Sequence, residues 1–416
     1  MAAIAKGPIL TDGAFLQINE SLRFALGKRG ISAPTPIQAI VIPQILAKEN
    51  LVFRSATGSG KTFAYLLPLL HNLAAERAAP PPGSGLQEAG PPAASHRRRP
   101  PAILIMAPTL ELAAQIKSEA DFLLNGLPIK AILCTGGGSS ARQSETLKKE
   151  APEIVVGNPN RLAELFQKGK LKLAGISAVV LDEADRLISR EQIEVTAALL
   201  RSLPPKCQNI ALSATVSNKT IKELNSITGL TFNFSETPPN EAVQGLITHW
   251  AIWCDEKNKF FTVLRSFLAA VKHKKVIVFT ENARDVETLG AKLQHCKQRA
   301  VCIYSGQEKK SRKAALDAFR GSGADVLVSS DLAARGLDFD FVTHVVILGV
   351  NESADVYTHR AGRTGRCGRK GVCVSIGDEI DMRRLQNIEK KLKIIVYPKE
   401  LYGGRILSPD AAPLDE

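Results

Sequence analysis

Short apolar runs without polar alternation recur along the chain, and each is followed by a polar or helix-forming stretch. Such runs are typical of parallel strands buried on both faces of a sheet. Because they alternate with helical stretches such as Leu112–Leu124 and Arg312–Arg320, the pattern predicts an α/β fold with doubly wound, mostly parallel sheets. The predicted strands are Leu51–Phe53, Ile103–Met106, Ile132–Cys134, Ile154–Val156, Val179–Leu181, Ile210–Leu212, Val276–Phe279, Val301–Tyr304, Val326–Val328, Val345–Leu348 and Val372–Ile376.

The strand series is interrupted after Gly229, where the sequence carries two adjacent prolines and no helical period. This interruption predicts a linker between two domains. The expected organisation is a first domain over residues 1–233, a linker over 234–245, a second domain over 246–405 and a flexible tail over 406–416.

A second interruption, from Ala78 to Pro101, is rich in Pro, Gly, Ala and Ser. A segment of this composition cannot bury a core, so we expect a disordered surface loop. Its run Arg97–Arg99 is either a solvated group of charges or an accessory contact to nucleic acid.

Composition narrows the class of partner and compartment. The 416 residues include 54 Lys and Arg against 41 Asp and Glu, and this formal net charge of +13 favours a polyanionic partner. Seven Cys without a C-x-x-C pair argue against a disulfide framework or a zinc ribbon and favour a reducing compartment. No apolar run approaches the length of about 18 residues that a membrane span requires. Met1–Leu10 is too short and too weakly apolar for a signal peptide, so we expect a cytoplasmic protein.

The clearest local motif is SATGSGKT, which lies between a predicted strand and the apolar stretch Phe63–Leu70. Glycines allow the backbone to fold tightly so that N–H groups face a phosphate, and the following helix adds the positive end of its dipole. Lys61 would reach the β- and γ-phosphates, and the Thr62 hydroxyl would bind Mg²⁺. The predicted phosphate loop comprises Ser55, Ala56, Thr57, Gly58, Ser59, Gly60, Lys61 and Thr62.

A phosphate loop needs a carboxylate on a nearby strand to hold the metal ion. The sequence VVLDEAD places Asp182 and Glu183 at the carboxyl end of an apolar strand, which is the edge where such sheets bind ligands. Asp182 is positioned for Mg²⁺, and Glu183 for orienting and deprotonating an attacking water. The two motifs together predict a nucleoside triphosphate hydrolase.

These motifs resemble those of the DEAD-box RNA helicase family, since the letters DEAD stand at Asp182–Asp185. The resemblance covers about residues 15 to 405 and implies two tandem RecA-like domains, the cofactors ATP and Mg²⁺, RNA bound largely through its backbone, and a monomeric chain. The motifs that carry it, besides the phosphate loop, are GISAPTPIQ (Gly30–Gln38), SAT (Ser213–Thr215), SSDLAARGLD (Ser329–Asp338) and YTHRAGRTGR (Tyr357–Arg366).

For the nucleotide, the resemblance implies that the Gln38 amide pairs with adenine N6 and N7. Phe15 is the candidate aromatic for stacking on adenine, with a simple core position as the alternative. Arg363 and Arg366 match the family's arginine fingers, which reach the γ-phosphate. The remaining matches are Gly336 and Asp338 on the nucleotide's sugar–phosphate side, and Ser213, Thr215 and His359 as coupling residues.

For RNA, the resemblance implies contacts from both domains, through Gly-rich turns and helix N-termini. The sequence departs from the family here, because Leu110 replaces an Arg while Asn158 and Asn160 replace Thr and Gly. The implied RNA-binding residues are Pro108, Thr109, Glu111, Gly136, Gly137, Arg161, Thr280, Gly306, Ser330 and Asp331.

The leading hypothesis is an RNA-dependent ATPase that separates short RNA duplexes or displaces bound protein, with specificity supplied by a protein partner or by the loop 78–101. The departures on the RNA side leave open an ATP-gated RNA clamp or assembly scaffold with little turnover. A DNA helicase is a third hypothesis, which the adenine-reading motif disfavours.

Overall fold

The computed structural model describes residues 13–55, 59–78, 100–136, 138–213, 216, 218–236, 246–271, 275–304, 306–330, 339, 341–365 and 369–409. The chain divides into two compact units, which we call domain 1 (Met1–Thr237) and domain 2 (Pro238–Glu416). Apart from its ends, the predicted disordered loop between Ala78 and Pro101 lies outside the described residues.

Domain 1 is built on a sheet of seven parallel strands in the order β3-β4-β2-β5-β6-β1-β7. Its strands are β1 Leu51–Arg54, β2 Ile103–Met106, β3 Ala131–Cys134, β4 Ile154–Gly157, β5 Ala178–Asp182, β6 Gln208–Ser213 and β7 Asn233–Glu236. Its helices are α1 Gly13–Leu16, α2 Glu20–Lys28, α3 Pro36–Leu46, α4 Lys61–Ala78, α5 Leu110–Leu124, α6 Ser140–Glu150, α7 Pro159–Gln167, α8 Ala184–Leu187, α9 Ile193–Arg201 and α10 Asn218–Thr228.

Both faces of the central part of this sheet are buried, as its apolar strands require. Along β2, Ile103 and Ile105 pack into one core cluster, whereas Leu104 and Met106 pack into a second cluster. Successive side chains of a strand point to opposite faces. A central strand such as β2 therefore contributes to two apolar layers, and the predicted doubly wound α/β class is confirmed.

Domain 2 repeats this architecture with seven parallel strands in the order β10-β11-β9-β12-β13-β8-β14 and with one core cluster on each face. Its strands are β8 Ile247–Trp253, β9 Val276–Thr280, β10 Ala300–Ile303, β11 Val326–Ser330, β12 His344–Leu348, β13 Gly371–Gly377 and β14 Val396–Pro398. A separate antiparallel pair follows, β15 Glu400–Tyr402 and β16 Arg405–Leu407. Its helices are α11 Phe260–Ala270, α12 Ala283–His295, α13 Lys309–Arg320, α14 Ala354–Ala361 and α15 Glu379–Leu392, with a 3₁₀ turn at Lys257–Lys259.

Two segments differ from the sequence-based boundaries. Strand β7 pairs with β1 through Glu236, so residues 234–236 belong to the sheet rather than to the predicted linker. Strand β16 pairs with β15 through Leu407, which places residues 406 and 407 in a hairpin rather than in the predicted flexible tail. In both places, backbone hydrogen bonds to a neighbouring strand order a segment too short to give a strand signal in the sequence.

Candidate nucleotide and RNA sites

The start and end of the phosphate loop are held together by hydrogen bonds. The Ser55 N–H, directly after β1, donates to the Ser213 carbonyl at the end of β6 with an N···O distance of 3.3 Å. Lys61, the first residue of α4, donates from Nζ to the Ser55 carbonyl at 2.9 Å, and the Ser55 Oγ donates to the Ser59 Oγ at 2.6 Å. The Lys61 ammonium therefore spans the loop, at the point where a strand meets a helix N-terminus. Ala56, Thr57 and Gly58 lie outside the described residues.

Gln38 fixes the second half of this loop. Its Nε2 donates to the Gly60 carbonyl at 3.0 Å, and its Oε1 accepts the Thr35 N–H at 2.9 Å as part of the capping box of α3. Gly60 has φ +84°, and a Cβ there would lie 2.5 Å from the Gln38 Nε2. Gly60 is thus required by both its backbone conformation and this close approach.

In this arrangement the Gln38 amide is 2% exposed and bonded on both sides to the protein. The structure therefore presents Gln38 as a connection between α3 and the phosphate loop. Its predicted contact with adenine would need this amide to share its hydrogen bonds or to exchange them.

Asp182 is the last residue of β5 and is only 4% exposed. The Tyr65 O–H donates to its Oδ2 at 3.0 Å. Burial, and next the negative charge of Glu183, raise the pKa of the Asp182 carboxyl from 3.8 to about 6, while Lys61 and Tyr65 act in the opposite direction. The site therefore holds a carboxylate whose charge is costly unless a further cation approaches it.

Glu183 follows Asp182 in a left-handed conformation, with φ +54° and ψ 53°, at the N-cap of the short helix α8. This conformation is uncommon for residues other than glycine and costs of order 1 to 3 kcal/mol. Local strain of this kind is often found at functional sites, and the role of Glu183 in orienting water stays a prediction.

The donor set at this edge fits Mg²⁺. A carboxylate at Asp182 and a hydroxyl at Thr62 are the hard oxygen ligands that Mg²⁺ prefers, and this ion is usually held by one or two carboxylates together with substrate phosphates and water. In the described part of the chain, no group of three or more His, Cys, Asp or Glu residues forms an all-protein metal cage.

Phe15 differs from its predicted position. Its side chain is 0% exposed and belongs to a core cluster of domain 1, so no face of the ring is open to a nucleotide. The neighbouring Leu16 is 54% exposed instead. The short helix α1 packs on α3 with its aromatic side inward, which favours the core alternative for Phe15.

Arg161, predicted to bind RNA, is turned into the protein. Its Nη1 donates to the Gly138 carbonyl at 3.1 Å and to the Gln143 Oε1 at 2.8 Å, and its Nε lies 2.8 Å from a Glu164 carboxylate oxygen. The Arg161 side chain is only 11% exposed. The guanidinium therefore holds α6, α7 and the Gly-rich turn before α6 together.

The Gly136 N–H is also occupied, because it donates to the Asn158 Oδ1 at 3.1 Å. Asn158 stands where the family has Thr, and its longer amide reaches across to the turn. A ligand oxygen that bound this N–H would have to share it with the Asn158 amide oxygen or displace it. Gly137 lies outside the described residues.

The remaining RNA candidates of domain 1 lie at the start of α5. Thr109 is the N-cap, and its Oγ1 accepts the Leu112 N–H at 3.3 Å. Pro108 precedes it, and Glu111 lies in the first turn, where an acidic side chain favours the helix dipole. Leu110 is 40% exposed in the position of the family's Arg, so an apolar side chain faces solvent there.

In domain 2, Thr280 and Ser330 are the last residues of the adjacent strands β9 and β11 and are 4% and 6% exposed. Gly306 follows β10 with φ +86°. All three lie at the carboxyl edge of one sheet, where doubly wound folds bind ligands. Asp331, Gly336 and Asp338 lie outside the described residues.

The predicted arginine finger Arg363 follows α14 and is 6% exposed in domain 2. Its Nε donates to the His359 carbonyl at 3.2 Å. Arg360, which the sequence analysis did not single out, is 3% exposed and lies over the Phe279 ring at 5.6 Å. Arg366 and Thr215 lie outside the described residues, and Ser213 is buried at the end of β6.

Two contributors to these sites were missed from sequence. Tyr65 lies four residues after Lys61, one helical turn along α4, and this spacing places both on one side of the helix. The Gln143 Nε2 donates to the Thr135 carbonyl at 3.0 Å, and its Oε1 accepts a hydrogen bond from the Arg161 guanidinium. Because Gln143 lies in a polar helix, nothing in the sequence sets it apart from solvent-exposed residues.

Comparison with known proteins confirms the family that the motifs resemble. Residues 35–224 match the DEAD/DEAH box helicase family, and residues 259–368 match the helicase conserved C-terminal domain. The DEAD-box ATP-dependent RNA helicase CshC of Bacillus cereus is 31% identical over 386 residues, which are 92% of this chain and 92% of that protein. The chain belongs to the DEAD-box RNA helicase family.

A second DEAD-box relative and one solved structure show how much of the chain is shared in sequence and in fold. The ATP-dependent RNA helicase DeaD of Escherichia coli is 30% identical over 406 residues, but this chain covers only 60% of its length. The structure of S. cerevisiae Dbp5 bound to RNA and ADP BeF3 has a TM-score of 0.78 at 23% identity, over 92% of this chain and 95% of that one, and thus confirms the tandem RecA-like fold. None of the helices in the described ranges combines the length and apolar character that a bilayer crossing needs.

Proposed function

We propose that this DEAD-box protein is an RNA-dependent ATPase that separates short RNA duplexes or displaces bound protein, using ATP and RNA together to close its two domains. The observation that carries the proposal is the arrangement around the phosphate loop. Lys61 lies 2.9 Å from the Ser55 carbonyl, and buried Asp182 is held by Tyr65 at the carboxyl edge of the same sheet. Such an edge with a phosphate loop is suited to a nucleoside triphosphate.

The roles follow from charge and position. Lys61 supplies positive charge to the β- and γ-phosphates, and Glu183 orients the attacking water and accepts its proton. Asp182 and Thr62 would hold Mg²⁺, which when bound offsets the charge that develops on the transferred phosphoryl group. Arg363 and Arg366 would complete the site from domain 2 as cationic fingers.

RNA recognition in this proposal depends mainly on backbone contacts. Thr109 at the N-cap of α5, and Thr280, Gly306 and Ser330 at the edge of the second sheet, offer hydroxyl and N–H groups to phosphates and 2′-hydroxyls. Contacts of this kind read shape rather than sequence. Specificity for a particular RNA would then come from a protein partner or from the segment between residues 78 and 101.

A second candidate function, an ATP-gated RNA clamp with little turnover, is favoured by one observation. The Gly136 N–H and the Arg161 guanidinium are both engaged within domain 1, and Leu110 replaces a cation. A weaker RNA grip in domain 1 would make strand separation inefficient.

Glu183→Gln distinguishes the two functions. It preserves size and hydrogen bonding but removes the base, so ATP binding and closure on RNA should survive while hydrolysis slows severely. For a remodelling ATPase, the variant should hold RNA much longer than the wild type when ATP is present, and the wild type's ATPase should be stimulated by RNA. Equal RNA dissociation rates for both proteins, with a wild-type ATPase that RNA does not change, would favour the clamp.

A further inference from the structure

A groove of about 680 Å³ lies on domain 1 at the amino ends of β2 and β4. Its apolar floor includes Pro100 and Pro101 before β2, Pro152 before β4, and Leu147 of α6. The phosphate loop and Asn158 follow the carboxyl ends of strands in the same sheet. Because all strands of this sheet are parallel, the groove lies at the opposite edge of domain 1 from the phosphate loop and Asn158.

Three exposed lysines border this groove: Lys148, Lys170 and Lys172. Within the described ranges none of them makes an ion pair, whereas the nearby Lys130 and Lys168 are paired with Glu150 at 2.5 Å and Glu164 at 2.7 Å. The groove is lined by one acidic residue, Glu145. Ion pairs within the described part of the protein therefore do not neutralise the positive charge at the rim of the groove.

Helix capping does not explain the cluster. Lys148 lies in the last turn of α6, where a cation complements the helix dipole. Lys170 and Lys172, however, follow the end of α7 at Gln167 and belong to no helix. Three cations from two separate segments converge on one apolar floor.

We propose that this groove is an accessory anchor for the single-stranded flank of the RNA on which the protein acts. The lysines would contact phosphates, and a base would pack on the proline and leucine floor. Its volume lies within the range of about 300 to 1,000 Å³ typical of organic-ligand pockets, and so suits a nucleotide better than an isolated phosphate ion. The inference rests on the proposed RNA-dependent function, and adds a second contact at the far edge of domain 1.

The test uses the full chain with Lys148, Lys170 and Lys172 all changed to Gln. The matched control changes Lys206, Lys219 and Lys222, exposed lysines of domain 1 outside the groove, to Gln. Binding is measured to a short RNA of about 10 nucleotides, within the footprint of one binding groove, and to a long RNA of about 40 nucleotides. Equal melting temperatures for the two variants establish that both are folded.

We expect the wild type and the control variant to bind the long RNA more tightly than the short one. The groove variant should lose this length dependence, with about tenfold weaker binding of the long RNA at low salt. Each phosphate contact to a single strand contributes about 0.7 to the slope of log affinity against log salt. Loss of three lysine contacts should therefore reduce the magnitude of the slope of the groove variant by about 2. ATP hydrolysis without RNA should be unchanged.

Equal affinities and slopes for the groove and control variants would overturn the RNA anchor and leave a protein with acidic side chains as the candidate ligand. Equal weakening on short and long RNA would also overturn it, because the lysines would then act as general charge. These failures are distinguishable from failure of the proposed function, in which RNA would not stimulate the wild-type ATPase at all.

Discussion

Asp182→Asn should stabilise the folded protein at neutral and alkaline pH while abolishing its ATPase. Asp182 is 4% exposed, and burial raises the pKa of its carboxyl to about 6. Asparagine has nearly the same shape and remains neutral, and its amide oxygen can still accept the Tyr65 O–H. The substitution therefore removes a buried negative charge without leaving a cavity, but it also removes the carboxylate proposed to hold Mg²⁺.

The sign and size of the effect follow from proton linkage. The folded state binds the Asp182 proton more tightly than an unfolded chain with a carboxyl pKa of 3.8, so this stabilisation is present below about pH 4 and is lost as pH rises through 6. The loss amounts to about 3 kcal/mol in the free energy of unfolding. Asparagine does not ionise and so keeps this stabilisation at every pH. The free energy of unfolding of the variant should therefore equal that of the wild type at low pH and exceed it by about 3 kcal/mol at pH 8. For a domain of this size, that corresponds to about 6–12 °C in Tm.

Thermal unfolding of both proteins at acidic and alkaline pH measures this difference. Circular dichroism follows both domains, while Trp250 and Trp253, the only two tryptophans, lie on β8 and make fluorescence an internal reference for domain 2. The Tm of the domain 1 transition, seen by circular dichroism, should change with the substitution. The Tm of the domain 2 transition, seen by tryptophan fluorescence, should not. A Tm for Asp182→Asn that equals or falls below that of the wild type at pH 8 would refute the reasoning that burial disfavours this charge.

Four further predictions concern the nucleotide site and the binding of RNA. Lys61→Ala should abolish detectable ATP hydrolysis in a folded protein, because the charge facing the phosphates is lost; undiminished turnover would remove the phosphate-loop assignment. Gly60→Ala should weaken ATP binding and cost about 1–2 kcal/mol of stability, since the left-handed backbone and the nearby Gln38 amide both oppose a methyl group; nucleotide titration and denaturant unfolding measure the two effects. Tyr65→Phe removes a hydrogen bond worth about 1.5–3 kcal/mol to the Asp182 carboxylate, so the acidic limb of the pH profile of kcat/KM should move upward by about one to two pH units; an unmoved limb contradicts that role. RNA affinity without nucleotide should fall steeply between about 50 and 200 mM salt, and a flat dependence would show that the basic surplus lies off the RNA path.

The central strands of both sheets could be predicted because each is apolar on both faces. Such a strand can be recognised from its own sequence, without knowing which strand it pairs with. Every strand expected from an apolar run is present, with ends that differ by at most two residues. Strand β7, with the sequence NFSE, was not predictable, since it is a largely exposed edge strand ordered by its pairing with β1. Strand β8 was missed for a related reason, because its polar residues Thr248 and His249 interrupt the apolar run.

The sites show a similar division. The phosphate loop and the acidic pair are encoded by contiguous residues, so sequence locates them. The engagement of Arg161 by Gln143 and Gly138 depends on how α6 packs beside α7, and the burial of Phe15 depends on how α1 packs on α3. These are tertiary contacts between segments far apart in the chain, and no local pattern specifies them.

The pairing of β7 with β1 has a mechanical consequence. The chain leaves domain 1 through β7, whose four residues pair in parallel with the strand that leads into the phosphate loop, and Arg54 and Glu236 form an ion pair at their shared end. Tension on the segment beyond Glu236 would load these parallel hydrogen bonds in shear, so that all of them bear the force together rather than opening one by one. The Gln44 Nε2 donates to the Ser235 Oγ at 3.0 Å and adds α3 to the same load-bearing unit. A pull from the second half of the chain is therefore delivered to the strand that leads into Ser55 and to the helix that carries Gln38.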